Sequence, residues 1–280
     1  HSAKKPFTDD VRLRVIAERT PGFSGADLYS LMNEAAIFAA RENRKKITQK
    51  DITHAIEKVM LGPERKSHLL SKKEKKITAY HEAGHALTAS LLPYADPVHK
   101  VSIISRGHAG GYTLKLPYEE RRLQTQKEFL DDIVVALGGY VAEKMIFDDL
   151  TTGPSSDLRM ANALAHDMVA KYGMSETFGA AIFEEPGGRT YGGRDGFIPR
   201  EYSEEVSAQV DAEATKIINE ARTRAENILR DNKKALDAIA EALIERETLE
   251  HAEFEKVLEA VGITPKKRET TLENSEGKKK

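Results

Sequence analysis

The sequence predicts a mainly α-helical protein with one small β-hairpin or sheet. Apolar residues recur at three- and four-residue spacing along most of the chain, which is the pattern of helices with an apolar face. Near residues 99–117 the pattern changes to alternating apolar and polar positions around a glycine-rich turn, which indicates two short strands. With 280 residues the chain is long enough for two domains, since a length of about 150 residues per domain is typical.

Composition narrows the classes of function. Hydrophobic residues make up 40% of the chain, charged residues 31%, and the net charge is −2, so we expect a folded protein with no nucleic-acid partner. The absence of cysteine excludes disulfides and thiolate metal sites, so any metal must be bound by His, Asp or Glu. The chain starts at His1, has no signal-peptide pattern and has no run of about 18 to 20 apolar residues. We therefore expect a soluble fragment of a longer protein, and membrane attachment of that longer protein stays open.

The first domain is predicted to contain three helices between residues 8 and 62. Two of these helices begin at capping boxes, in which two side chains three residues apart cap each other's backbone. A polar and basic stretch follows the third helix and is typical of a linker, so we place this domain at residues 1–63. The capping pairs are Ser24 with Asp27 and Thr48 with Asp51.

The second domain, predicted at residues 64–262, starts with a helix that opens at a capping box of Ser71 and Glu74. Apolar residues at three- and four-residue spacing indicate that one face of this helix packs inward. The β-hairpin follows and ends at Pro117. A second helix, capped by Thr125, is apolar enough to be buried.

The rest of the chain up to residue 260 is predicted to be helical, with one exception. Residues 184–200 contain too much glycine and proline for regular structure and are predicted to form a mobile loop. The long amphipathic helices beyond this loop are typical of a packing or oligomerisation scaffold. The C-terminal tail, residues 263–280, lacks the apolar content to fold and is expected to be disordered.

The segment His81-Glu82-Ala83-Gly84-His85 has the spacing of a metal site. Helical positions four apart lie about 40° apart around the axis and about 6 Å along it, so both imidazoles can bind one Zn²⁺ from the same side. Glu82 lies one position further round and is the candidate general base that takes a proton from the attacking water. So short a motif also arises by chance on a solvated helix face. The sharp cap of this helix, its apolar stripe and the small Ala83 and Gly84, which let another element or a metal approach closely, favour the metal site.

A catalytic zinc needs a third protein ligand, and the residues alone leave two candidates. Glu143 lies on the helix after the hairpin, where it can bind the metal or accept a hydrogen bond from a ligating histidine. Asp157 opens a helix after a tight turn, although the helix dipole favours Asp there without any metal. The remaining histidines are weaker candidates: His54, His68 and His251 on polar surface, His99 and His108 beside the hairpin, and His166 among alanines as a core histidine.

Two further observations concern substrates. The second strand of the hairpin, GGYTLKLP, can align a peptide by main-chain hydrogen bonds if its edge is exposed, whereas a strand buried on both sides cannot. The chain contains no phosphate-binding G-x-x-x-x-G-K-[ST] sequence, so an ATPase site cannot be complete in it.

Five stretches of the chain stand out together: TPGFSGADLYSLMNEAAIFAAREN, TAYHEAGHAL, GGYTLKLP, TTGPSSDL and ETLEHAEFEKVLE. In this order they resemble the C-terminal part of FtsH-type ATP-dependent zinc metalloproteases, from the helical lid of the AAA+ ATPase module through the peptidase domain. The resemblance extends over residues 1 to about 262. It implies that His81 and His85 bind Zn²⁺, that Glu82 is the catalytic base and that Asp157 is the third ligand.

The resemblance also implies the activity of the longer protein. That activity is endopeptidase cleavage of unfolded or membrane-extracted polypeptides, coupled to ATP and Mg²⁺ in the full-length protein only. It further implies a homo-hexamer and an N-terminal membrane segment that this chain does not contain. The expected location is the cytoplasmic side of a bacterial inner membrane, or an organelle membrane derived from one. The alternatives are a stand-alone zinc peptidase and a non-catalytic lid and assembly scaffold whose His81–His85 motif is inert.

Overall fold

A computed structural model describes residues 1–3, 5–20, 22–63, 71–106, 110–115, 123–183 and 202–264 of the chain. The predicted loop at 184–200, the middle of the predicted linker, Pro117 and nearly all of the predicted tail lie outside these residues. His68 and His108 lie outside them as well.

A small helical core lies at the start of the chain. Its three helices agree with the prediction, and the two predicted capping boxes are both present. Leu31 and Ile52 lie at its centre with no exposed surface, and Ile47 packs beside them. The helices are α1 (Leu13–Glu18), α2 (Gly25–Arg41) and α3 (Gln49–Leu61).

A second, larger core contains the remaining helices and one sheet, which confirms the predicted mainly α fold with a small sheet. Within the described ranges, none of the helices is both long and apolar enough to cross a membrane. The elements are α4 (Lys72–Leu91), β1 (Val98–Ser102), β2 (Tyr112–Lys115), α5 (Gln126–Phe147), α6 (Ser155–Ala170), α7 (Glu204–Asp231), α8 (Lys233–Arg246), β3 (Thr248–Glu250) and α9 (His251–Ala260).

Helix α4 is the central element of the second core. Every residue from Ala79 to Ala89 is buried, because α5, α8 and the sheet pack around the helix. The predicted face of this helix does pack inward, and the other faces are buried along this stretch as well. The prediction that Gly84 lets another element approach closely is confirmed: a Cβ atom at Gly84 would lie 2.4 Å from the backbone oxygen of Gly138, so α4 and α5 touch backbone to backbone.

The sheet has three antiparallel strands in the order β2-β1-β3. The predicted hairpin is present, with Ser102 opposite Tyr112. The prediction that every element between the loop at 184–200 and residue 260 is a helix is wrong at β3, where Thr248 pairs with Ser102. Helix α8 ends at Arg246, and the next residue, Glu247, has a left-handed backbone conformation. The three-residue strand that follows is too short to show an alternating pattern. Among the described residues, β2 pairs with β1 alone and is an edge strand.

Candidate metal centre

Three ligand atoms from two helices converge at one point. Nε2 of His81 lies 3.0 Å from Nε2 of His85 on α4. Oδ2 of Asp157, in the first turn of α6, lies 3.3 Å from the former and 3.6 Å from the latter. Within the part of the chain that the structure describes, these residues form a group whose possible ligand atoms all lie within 4.8 Å of one another.

The other ring nitrogen of each histidine is already bonded. Nδ1 of His81 lies 2.8 Å from Oε1 of Glu143, and Nδ1 of His85 lies 2.7 Å from the backbone oxygen of Val135. A carbonyl or carboxylate oxygen can only accept, so both Nδ1 atoms carry the proton when the rings are neutral. In that state the lone pair of each Nε2 atom faces Asp157. The two Nε2 atoms and the Asp157 carboxylate oxygen therefore form a set of three electron-pair donors around one point.

This donor set fits a zinc ion. Bonds of 2.0 to 2.1 Å in a tetrahedral site place ligand atoms about 3.3 Å apart, which is close to the separations of 3.0, 3.3 and 3.6 Å among the three atoms. The pocket also attracts positive charge. Burial by itself would lower the pKa of His81, but the carboxylates of Asp157 and Glu143 outweigh it and raise this pKa to about 10. Burial likewise opposes ionisation of Asp157, yet the two imidazoles hold its pKa well below the usual range.

Glu143 lies behind His81, away from the converging Nε2 atoms. Its other oxygen, Oε2, accepts hydrogen bonds from the backbone nitrogen of Thr151 at 3.0 Å and from the Thr151 hydroxyl at 2.9 Å. Burial raises the pKa of Glu143, but the bonds from His81 and Thr151 lower it by more, so the carboxyl is ionised. Of the two candidate carboxylates, only Asp157 thus lies beside the Nε2 atoms. Glu143 instead orients the ring of His81 through its Nδ1 atom.

Glu82 lies beside the histidines and is only 5% exposed. Burial raises the pKa of its carboxyl, an effect that the nearby His81 and His85 and a hydrogen bond from Thr113 partly offset. The Thr113 hydroxyl donates to Oε2 of Glu82 at 2.9 Å. Sequence reasoning did not single out Thr113 or Thr151, because only the fold brings these hydroxyls to the site.

Gly139 is a third residue that sequence reasoning missed. A Cβ atom at this position would lie 2.5 Å from Cε1 of His81 and 2.6 Å from Nε2 of both His81 and His85. Only a glycine lets α5 lie this close to the two rings. The sequence feature that could have identified Gly139 is the pair Gly138-Gly139 within an otherwise apolar helix. Glycine inside a helix usually indicates close packing against another element.

A cavity of about 680 Å³ opens over the three donors. Its walls come from α4, β2, α5 and α6 and from the turn before α6. Tyr112 and Thr113 line one side of the cavity and Met160 lines another. A bound peptide that lay along the edge strand β2 would therefore pass close to the three metal-binding donor atoms. The cavity is therefore large enough for several residues of a peptide.

The other described histidines lie away from this cavity. His251 packs against His99, with ring centroids 6.1 Å apart, and its Nδ1 lies 2.8 Å from the backbone oxygen of Val98. His54 packs edge-on against Phe38. The prediction of a core histidine at His166 is wrong, since its side chain is 30% exposed on α6.

Comparisons with known proteins find relatives along most of the chain. Residues 10–54 match the AAA+ lid domain. An ATP-dependent zinc metalloprotease, FtsH 1, from Thermoanaerobacter sp. (strain X514) is 49% identical over 263 residues, which are 94% of this chain and 43% of that protein. The ATP-dependent zinc metalloprotease FtsH of Veillonella parvula is 50% identical over 250 residues, 89% of this chain and 39% of its own length. The chain thus spans about two fifths of these relatives. Because the match to peptidase family M41 extends over residues 68–257, the chain belongs to that family.

Proposed function

We propose that this chain is the peptidase part of a zinc-dependent endopeptidase that hydrolyses unfolded or membrane-extracted proteins. The observation that carries the proposal is the convergence of the His81, His85 and Asp157 donors beside the buried Glu82. We assign the first three residues as zinc ligands and Glu82 as the general base. The relatives named above support the assignment, since both carry zinc metalloprotease in their names.

Zn²⁺ bound to these ligands would polarise a carbonyl group and make water acidic enough to react near neutral pH. The chain's own residues supply the proton transfers. Glu82 takes a proton from the attacking water and returns it to the leaving amine, and its raised pKa suits both steps. Glu143 and the backbone oxygen of Val135 fix the two imidazole rings.

Strand β2 is proposed to bind the substrate. It forms the described edge of the sheet and lines the cavity, so a peptide can add to it by main-chain hydrogen bonds. The amide of Ile103 bonds to Glu247 on the β3 side, so the register leaves the N–H groups of Tyr112 and Leu114 facing β1 and that of Lys115 facing the open edge. Replacing Lys115 by proline removes this edge donor and should impair cleavage of a peptide by a folded variant. Unchanged cleavage by this variant would count against this part of the proposal.

We further propose a lid domain at 1–63, a peptidase domain at 64–262 and a tail at 263–280. The match to the AAA+ lid supports the first of these. By the FtsH-type resemblance, ATP and Mg²⁺ drive unfolding and translocation only in the full-length protein. The same resemblance supports a homo-hexamer attached through an N-terminal membrane segment, on the cytoplasmic side of a bacterial inner membrane.

Two measurements on the purified chain test the enzymatic assignment. The chain should contain one tightly bound zinc and should cleave casein, an unstructured substrate, without stimulation by ATP. Glu82→Gln should keep the zinc and the fold but lose the cleavage, since Glu82 is assigned to proton transfer and not to metal binding. A non-catalytic scaffold with an inert motif would instead contain no zinc after careful purification. Casein cleavage by Glu82→Gln at the parent rate would contradict the assignment of the base.

A further inference from the structure

We propose that Thr113 on strand β2 is a positioning residue that holds the carboxylate of Glu82 in the orientation that proton transfer requires. The inference rests on the proposed function, because it takes Glu82 as the general base. It adds that the element proposed to bind the substrate also sets the position of the base.

The contact between the two side chains is direct. The Thr113 hydroxyl donates to Oε2 of Glu82 at 2.9 Å and also lies 3.3 Å from the backbone oxygen of the same residue. Because Glu82 is 5% exposed, bulk water cannot readily replace this hydrogen bond. Hydrogen bonds to an ionised acceptor are also about twice as strong as those between neutral groups.

Gly111 brings the start of the strand against the same carboxylate. Gly111 directly precedes β2 and lies on the same side of the backbone as the Thr113 side chain, because both approach the carboxylate of Glu82. A Cβ atom at Gly111 would lie 2.8 Å from Oε1 of Glu82 and 2.9 Å from the backbone oxygen of Ser102. The strand can therefore cover the carboxylate only because this position lacks a side chain.

The two carboxylate oxygens consequently differ. Oε2 accepts the hydrogen bond from Thr113, whereas Oε1 makes no hydrogen bond to the described residues and stays available to take a proton. Helix α4 fixes the Cα atom of Glu82, but rotation about the side-chain bonds still decides where the carboxylate lies. A base must lie within hydrogen-bond reach of the proton that it removes, and an error of about 1 Å can reduce a rate about 100-fold.

The test uses the full chain loaded with zinc and a fluorogenic peptide derived from casein. Thr113→Val keeps the size of the side chain and removes the hydroxyl, so it should lower kcat about 10- to 100-fold while KM changes by less than about 3-fold. Thr113→Ser retains the hydroxyl and should recover most of the lost kcat. Thr215→Val is the matched control, because among the described residues the Thr215 hydroxyl bonds only to the backbone oxygen of Asp211, at 2.7 Å on α7, and the kcat of this variant should equal that of the parent.

Two readouts besides turnover separate positioning from a purely structural role. Zinc affinity, measured with a competing chelator, should be the same in Thr113→Val and the parent. A second comparison uses the Glu82→Gln variant, in which adding Thr113→Val should leave the Kd for the same peptide unchanged. The reason is that Thr113→Val is expected to disturb the position of the base and not the binding of the peptide by the strand. A weaker Kd, a loss of zinc, no rescue by serine or an unchanged kcat would each overturn the inference. If the zinc-loaded parent does not cleave the peptide at all, the proposed function itself fails.

Discussion

Glu57 of helix α3 and Lys100 of strand β1 form a buried ion pair between the two cores. Nζ of Lys100 lies 3.1 Å from both carboxylate oxygens of Glu57, and a guanidinium nitrogen of Arg106 lies 3.0 Å from one of them. Glu57 is 1% exposed and Arg106 is 5% exposed. The first core is therefore attached to the sheet of the second core by charge, in addition to the chain connection.

Removing this carboxylate should destabilise the protein. Glu57→Ala leaves the cations of Lys100 and Arg106 buried with less compensation, so we expect the free energy of unfolding to fall by about 3 kcal/mol. Urea unfolding followed by circular dichroism measures this change. The matched control is Glu34→Ala, which breaks the partly exposed pair of Glu34 with Lys58 and should cost less than about 1 kcal/mol. Equal losses in the two variants would show that the buried pair contributes no more to stability than the partly exposed one.

Asp157 and Glu143 should differ in their effect on zinc binding. Asp157→Ala removes a proposed ligand and should lower zinc affinity by more than about 100-fold and abolish activity. Glu143→Ala removes only the partner of His81 Nδ1, and the loss should be about 10- to 100-fold. Titration of each variant with a competing chelator compares them directly. If Asp157→Ala holds zinc as tightly as the parent while Glu143→Ala loses it, the third ligand is Glu143.

A methyl group at Gly139 should disturb the metal site. Gly139→Ala would place a Cβ atom 2.5 Å from a ring atom of His81, and the ring could move away only by straining its hydrogen bond to Glu143. We expect at least about 10-fold weaker zinc binding, because a metal site tolerates shifts of only about 0.5 Å. Gly110→Ala is the control, since a Cβ atom there would meet nothing within 4 Å. Its zinc affinity should stay within about 2-fold of the parent, and an equal effect of both substitutions would contradict the steric argument.

Stability should fall in mild acid because of His99. Burial first, and then the nearby charges of Arg19 and His251, lower the pKa of His99 from 6.5 to about 4. Above pH 6.5 this ring is neutral in both the folded and the unfolded state, so its protonation does not change the free energy of unfolding there. As the pH falls from 6.5 to 4, the unfolded chain takes up the proton and the folded protein does not, so unfolding becomes easier by on the order of 2 to 3 kcal/mol.

Substitution isolates this contribution from other acid effects. The difference in unfolding free energy between His99→Gln and the parent should change between pH 6.5 and pH 4 in favour of the variant and stay constant above pH 7. A difference that is independent of pH over this range would show that His99 does not titrate with a depressed pKa.

Local features of the fold could be predicted from the sequence because they depend on residues close together in the chain. The capping box of Ser71 and Glu74 starts α4 as expected, and the spacing of His81 and His85 alone places both rings on one side of a helix. The three residues of β3 carry too little pattern to be recognised, and this strand forms because β1 offers it a partner.

Features that depend on several elements could not be predicted from the residues alone. Asp157 and Glu143 come from different helices, so local patterns left both open as ligands until the fold separated their positions. The hydrogen bond from Thr113 to Glu82 joins a strand to a helix, and the two residues are 31 positions apart in the sequence. No spacing pattern in the sequence predicts this contact. The burial of α4 on all sides from Ala79 to Ala89 likewise depends on where its neighbours pack.

The backbone contact between Gly84 and Gly138 has a consequence for how the site captures an ion. It locks α4 to α5, and this unit holds both imidazoles together with Glu143 and Val135, which orient them. The two imidazoles are therefore preorganised once the two helices have folded. The conformational entropy of arranging them is lost during folding, so binding of an ion does not have to overcome it. The proposed third ligand, Asp157, comes from a separate helix, so its carboxylate joins the pair only when α6 packs against α5.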